Sequence, residues 1–176
     1  MKKYSLLFLI SAALLSCNPK QEDAAKQETA AAADTVNIEA RLKELNIELT
    51  TPKPPTANFV KTVRVGNLVY TSGHGPDRAE GGPMTGRVGD DLTLEQGQEA
   101  ARLTGVALLS SLKAEIGDLS KVKRVVKVLG MVQCTPEFKD QPKVMNAFSD
   151  MMVAVFGEKG KHARSAVGFS ALPGNI

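Results

Sequence analysis

Two runs rich in β-favouring residues, 59–65 and 68–71, are separated only by Gly66 and Asn67. Such a short link forces the flanking strands to run antiparallel, because the two-residue turns that fit it require positive φ, which glycine and asparagine tolerate. A β-hairpin is therefore the clearest element of this chain.

Two amphipathic segments follow. Thr93 and Gln96 form a capping-box pattern, and behind it Ala101, Gly105, Leu108, Leu112 and Ile116 recur at spacings of four, three, four and four before Gly117. That periodicity predicts a long helix with one apolar face. Residues 121–134, KVKRVVKVLGMVQC, are dense in β-branched side chains and predict a mostly buried strand. Asp140 reads as the cap of a second helix entered through Pro142, carrying Val144, Phe148, Met151 and Val155 on one face and closed by Gly157. Residues 163–172 predict a further strand. Upstream, Ile38, Leu42 and Leu45 behind Asn37 predict a short amphipathic helix, and the three prolines of residues 50–58 forbid its continuation. The order hairpin, helix, strand, helix, strand specifies an α+β fold, a sheet with helices packed on one face.

The first residues have another logic. Lys2 and Lys3 precede an apolar run at residues 6–15, too short to span a bilayer comfortably, and Ser16-Cys17 follows. This is a secretory leader. Leu14-Leu15-Ser16-Cys17 resembles a bacterial lipobox, which implies cleavage before Cys17 and acylation of its thiol and new amino group. Several acyl chains anchor a protein stably where one binds only marginally. The expected location is a membrane surface facing an extracytoplasmic space, and Asn18 in place of Asp resembles lipoproteins that are not retained in the inner membrane. Residues 18–36, rich in Ala, Gln and charge without an apolar stripe, read as a tether. The expected organisation is leader and lipobox at 1–17, tether at 18–36 and one folded domain at 37–176.

Several chemistries find no support. Removing Lys2 and Lys3 with the leader lowers the formal charge from +3 to +1, without the basic excess of a nucleic-acid binder. After processing Cys134 is the one unmodified cysteine, so no internal disulfide is expected, and the residue reads as a small buried apolar group. His74 and His162 are far apart and lack ligand-spaced partners, so no metal is expected. The glycine-rich loop 73–91 contains Gly73-x-Gly75, but no helix start follows at the distance a phosphate site needs. No cofactor fingerprint is visible, and the expectation is a cofactor-free protein.

Three stretches carry a family resemblance: NFVKTVRVGNLVYTSGHGP, DQPKVMNAFSDMMVAVFG and HARSAVGFSALP. Together they resemble the RidA/YjgF-like reactive intermediate deaminases, and LNIELTTPKPPTANFV with DLTLEQGQEAARL and VKRVVKVLGMV is similar to the branch called chorismate mutase-like or L-PSP endoribonuclease-like. The likeness covers residues 45–176. It implies a chorismate mutase-like fold, a homotrimer with pockets at the subunit interfaces, and cofactor-free hydrolysis of enamines and imines to 2-oxo acids and ammonia. It also implies roles. Arg164, on the Ala-Arg-Ser strand, would grip a substrate carboxylate, a role its permanently charged two-pronged guanidinium suits; the bland alternative is pairing with a structural carboxylate. The backbone carbonyl of Ala166 would orient water or the imine nitrogen. Asn146, Ser72 and Phe59 would line the pocket, with Phe59 standing where deaminating members often carry tyrosine.

One departure bears on activity. Deaminating members continue past Leu-Pro into a strand bearing a glutamate that positions water, and no such residue follows Pro173 here. The final strand is therefore expected to be missing, with a cost in stability. Imine hydrolysis needs general acid and base work, which Arg164 alone does not readily perform. Two readings stay open: a membrane-anchored small-carboxylate binder that hydrolyses enamines or imines, and a non-catalytic binding or scaffold trimer. Nuclease action is the least supported, lacking an acid–base pair beside a basic groove.

Overall fold

The computed structural model describes residues 37–78, 80 and 82–176. The leader, the lipobox with Cys17 and the tether lie outside the described residues. Asn37 opens α1 (Ile38–Glu44) by accepting the Ala40 amide at 3.0 Å, and the helix buries Ile38 and Leu42. The hairpin follows as β1 (Thr62–Val65) and β2 (Leu68–Thr71), antiparallel with Val63 opposite Tyr70 and Val65 opposite Leu68. Gly66 takes φ +59° at the first turn position, the conformation for which glycine has no Cβ penalty. The first strand begins later than residue 59, because the Phe59 amide turns back onto the Ala57 carbonyl at 2.8 Å.

The long helix, α2 (Leu94–Ile116), has both halves of its capping box: Gln96 N–H donates to Thr93 Oγ1 at 3.3 Å and Thr93 N–H to Gln96 Oε1 at 2.8 Å. Its buried line runs Gly97, Ala101, Gly105, Leu109, with the expected Leu108, Leu112 and Ile116 packed at its margin. The difference is one of direction. At Gly105 a side chain would collide with Met151 and press on Phe148, so α2 approaches its neighbour through small residues and turns Leu109 fully inward.

That neighbour is α3 (Gln141–Phe156), with Pro142 in its first turn and Val144, Phe148, Met151 and Val155 buried as expected. Met145, Met152 and Phe156 are buried as well, which widens the apolar face to most of the core. Asp140 precedes the helix without capping it by its side chain, since Oδ2 instead accepts from Lys143 Nζ at 3.0 Å.

The crossover through α3 makes β3 (Lys127–Gln133) and β4 (Ala163–Phe169) parallel, with Val128 opposite Arg164 and Gly130 opposite Ala166. Strand β3 is shorter and less buried than its composition predicts: helix α3 covers one face, while Leu129 and Met131 on the other are 58% and 42% exposed. The hairpin and the parallel pair hydrogen-bond as two separate two-stranded sheets, not one ladder.

Strand β4 ends at Phe169 instead of continuing to Leu172, because buried Gln133 captures the chain there. Its Oε1 accepts the Leu172 amide and its Nε2 donates to Asn175 Oδ1, within the short helical turn Pro173–Asn175. The Asn175 carbonyl then accepts from Gly86 N–H at 2.8 Å, tying the tail to the glycine-rich loop. Among the described residues β4 is followed by this short turn.

Candidate functional site

Alternation along β4 turns Arg164, Ala166 and Gly168 toward α3 and leaves Val167 and Phe169 outward. Arg164 reaches two residues of α3 one turn apart: Nη1 donates to Asn146 Oδ1 at 3.1 Å and to Ser149 Oγ at 3.0 Å. Asn146 and Ser149 share a helix face because they are three residues apart. The structural-carboxylate alternative for Arg164 does not hold among the described residues, where no acidic group lies within ion-pair distance of it. Both partners are neutral, so the guanidinium charge is not offset. Nε and Nη2 form no hydrogen bond with the described residues and are not among the buried unpaired atoms. One edge of the fork is held by α3 and the other is open.

Ser149 and His162 escaped the sequence reading. His162 Nδ1 is 2.7 Å from the Gly160 carbonyl, Nε2 is 3.1 Å from Ser149 Oγ, and the Phe148 ring meets the imidazole edge-on at 6.1 Å.

Ser72 follows β2 at the base of the hairpin, which packs on α2, and Phe59 precedes β1, whereas Arg164 packs on α3. The Ser72 hydroxyl donates to the Val60 carbonyl, closing the hairpin base, and Phe59 is 51% exposed. Among the described residues no hydrogen bond joins Phe59 or Ser72 to Arg164. Within a single chain the expected residues thus fall into two groups, Arg164 with Asn146 and Ala166, and Phe59 with Ser72.

His74 links the hairpin to α2. Its Nδ1 donates to the Ser72 carbonyl at 2.8 Å, so in the neutral ring Nε2 accepts from buried Ser111 Oγ at 2.8 Å. Burial holds the His74 pKa below the ordinary 6.5; the Ser72 carbonyl opposes this, Lys61 adds to it and Asp77 opposes it. Cys134 is buried as expected, with Gln141 Nε2 3.5 Å from its sulfur. Among the described residues no cluster of three His, Cys, Asp or Glu could hold a metal ion, and no helix is long and apolar enough to cross a membrane. A groove of about 390 Å³ beside α1, partly lined by the Glu39–Lys113 ion pair, includes none of the expected site residues.

Known proteins resemble this chain in sequence and fold. The family described as YjgF/chorismate mutase-like, putative endoribonuclease, matches residues 39–176. Protein TCP17 of Trypanosoma cruzi is 42% identical over 137 residues, covering 77% of this chain and 86% of its own length. Atu1372 of Agrobacterium tumefaciens, a crystal structure of unknown function, is 44% identical with a TM-score of 0.72, covering 78% of this chain and 86% of that one. The structure of a putative endoribonuclease from Shewanella oneidensis MR-1 is 28% identical with a TM-score of 0.75, covering 78% and 91%. With its α+β fold and a match spanning nearly all the described residues, the chain belongs to the YjgF/chorismate mutase-like family.

Proposed function

We propose that this protein binds small carboxylates through Arg164, as a homotrimer held at a membrane by lipid on Cys17. The observation that carries the reading is the open Nε–Nη2 edge of a guanidinium whose other edge is held by neutral acceptors. A carboxylate meeting that edge gains two parallel charge-assisted hydrogen bonds. The pocket is completed between copies, a placement that brings Phe59 and Ser72 of one copy to the Arg164 of a neighbour. Two apolar faces support the assembly: Val63, Val65, Leu68 and Tyr70 on the hairpin, and Leu129, Met131, Val167 and Phe169 on the parallel pair, all exposed. Exposed apolar area of that kind marks an interaction surface. The lipobox at residues 14–17 supports the anchor.

Hydrolysis of enamines or imines to 2-oxo acids is the second reading. Ser149, in contact with Arg164, and His162 behind it favour it, as a hydroxyl–imidazole pair able to pass a proton. No carboxylate contacts Arg164 among the described residues, so binding comes first, and a non-catalytic trimer remains the counterpart of this reading. Endoribonuclease action is supported least, because residues 18–176 carry a formal charge of only +1 and offer no basic excess to a phosphate backbone.

Calorimetry with 2-oxobutanoate and a turnover assay with freshly generated 2-iminopropionate test these readings together. The expected result is binding by the wild type that weakens at least about tenfold in Arg164→Ala, the loss expected for a charge-assisted pair. Equal binding by the two proteins, or none by the wild type, overturns the carboxylate reading. Turnover above buffer that disappears in Arg164→Ala establishes hydrolysis, and a rate equal to buffer establishes the non-catalytic alternative.

A further inference from the structure

Arg164 stands at one end of a chain of hydrogen bonds whose direction is set at the other end. The Gly160 carbonyl can only accept, so His162 Nδ1, 2.7 Å away, carries the proton. In the neutral ring Nε2 is then an acceptor, and the single Ser149 hydroxyl hydrogen points to it across 3.1 Å. With its hydrogen so engaged, Ser149 Oγ presents its lone pairs to Arg164 Nη1 at 3.0 Å. The second Nη1 hydrogen goes to Asn146 Oδ1 at 3.1 Å. Both hydrogens of one nitrogen are thereby assigned, and in a planar group two such contacts define where the opposite edge faces. Phe148 packs edge-on to the imidazole at 6.1 Å.

We infer that Ser149 and His162 are positioning residues: the imidazole fixes the Ser149 hydroxyl, and the hydroxyl, with Asn146, fixes the plane and open edge of the Arg164 guanidinium. Only the ligand measurement below rests on the carboxylate reading; the positioning does not.

The test uses the full chain at a pH of about 8. Nitrogen-15 spectra report the His162 tautomer and the rotation of the Arg164 Nη groups, and calorimetry reports 2-oxobutanoate affinity. In the wild type we expect the Nδ1–H tautomer and hindered Nη rotation. In Ser149→Ala, rotation should accelerate and 2-oxobutanoate binding should weaken by roughly tenfold, the loss of one hydrogen bond to a charged group, with unchanged circular dichroism. Ser149→Thr, which keeps the hydroxyl, should restore both, an outcome a purely packing role would not produce. His162→Gln gives the same rotational readout if Ser149→Ala does not fold. An Nε2–H tautomer in the wild type, or Nη rotation unchanged in the folded variants, overturns the positioning. If the wild type binds no 2-oxobutanoate, the carboxylate reading falls, and the rotation measurement alone decides this one.

Discussion

The replacement of Gly160 by alanine probes the segment that joins the core to Arg164. Gly160 is buried at the end of the turn Gly157–Gly160, and a Cβ there would stand 2.5 Å from the Met152 carbonyl carbon and 2.8 Å from Val153 N, with the Met152 oxygen closer still. An ordinary carbon–oxygen contact is about 3.3–3.6 Å. All three atoms are α3 backbone, so no side-chain rotation relieves the overlap; the turn or the helix must move by roughly 1 Å to restore that spacing. Overpacking commonly costs about 1–3 kcal/mol, and a purely backbone clash belongs at the upper end, about 3 kcal/mol. For a chain of this length each kcal/mol moves Tm by about 2–4 °C, which gives a drop of about 6–12 °C. The control is Gly130→Ala, where the added methyl would come 2.6 Å from Met145 Cγ and Cε with the sulfur closer still, all atoms of a flexible side chain. A thioether adapts, so about 1 kcal/mol is expected there. Urea denaturation at one protein concentration, which holds any contribution from assembly constant, measures both. A loss in Gly160→Ala below about 1 kcal/mol, or smaller than in Gly130→Ala, would refute the reasoning.

Three other outcomes follow from the same geometry. Leu129→Glu combined with Val167→Glu places charge on the outward face of the parallel pair; sedimentation should show monomer in place of trimer with unchanged circular dichroism, and an intact trimer would remove that face from the interface. His74 has a pKa lowered from 6.5, mainly by burial, so between the lowered value and 6.5 the unfolded chain binds more protons; its stabilising contribution is complete above 6.5 and lost as pH falls through the folded value. Wild type should therefore lose more urea resistance than His74→Gln between pH of about 8 and 5, and parallel profiles would contradict this. Cys17→Ser should move the protein from the membrane pellet to the soluble fraction, and retention in the pellet would exclude the lipid anchor.

Local signals in the chain were strong where they concern backbone chemistry. Gly66 takes the positive φ that its place between two β-rich runs demands, and Thr93 and Gln96 form the reciprocal cap their spacing specifies. The face of α3 was legible because Val144, Phe148, Met151 and Val155 repeat at helical period over a segment long enough to show it. Where the reading departed from the fold, the cause was a distant partner. β-branched residues do not reveal which neighbour is present, so β3 looked mostly buried although α3 covers one face and leaves Leu129 and Met131 exposed on the other. Asp140 had a competing local partner in Lys143. The extent of β4 was misjudged because the side chain that ends it, Gln133, lies on another strand.

The site divides in the same way. The resemblance singled out Arg164 and Asn146, and the parallel register with α3 brings them within 3.1 Å. Ser149 and His162 were silent, since a serine in a helix and a histidine before a strand carry no distinguishing pattern. By itself the sequence determined the hairpin, the caps at Asn37 and Thr93, the apolar face of α3 and the order of elements, because each depends on residues a few positions apart. Only the tertiary structure decided which edge of Arg164 is held and which is open, because a hydrogen bond's direction depends on partners from β4, α3 and the turn at Gly160 meeting at about 3 Å, and no local spacing encodes that meeting.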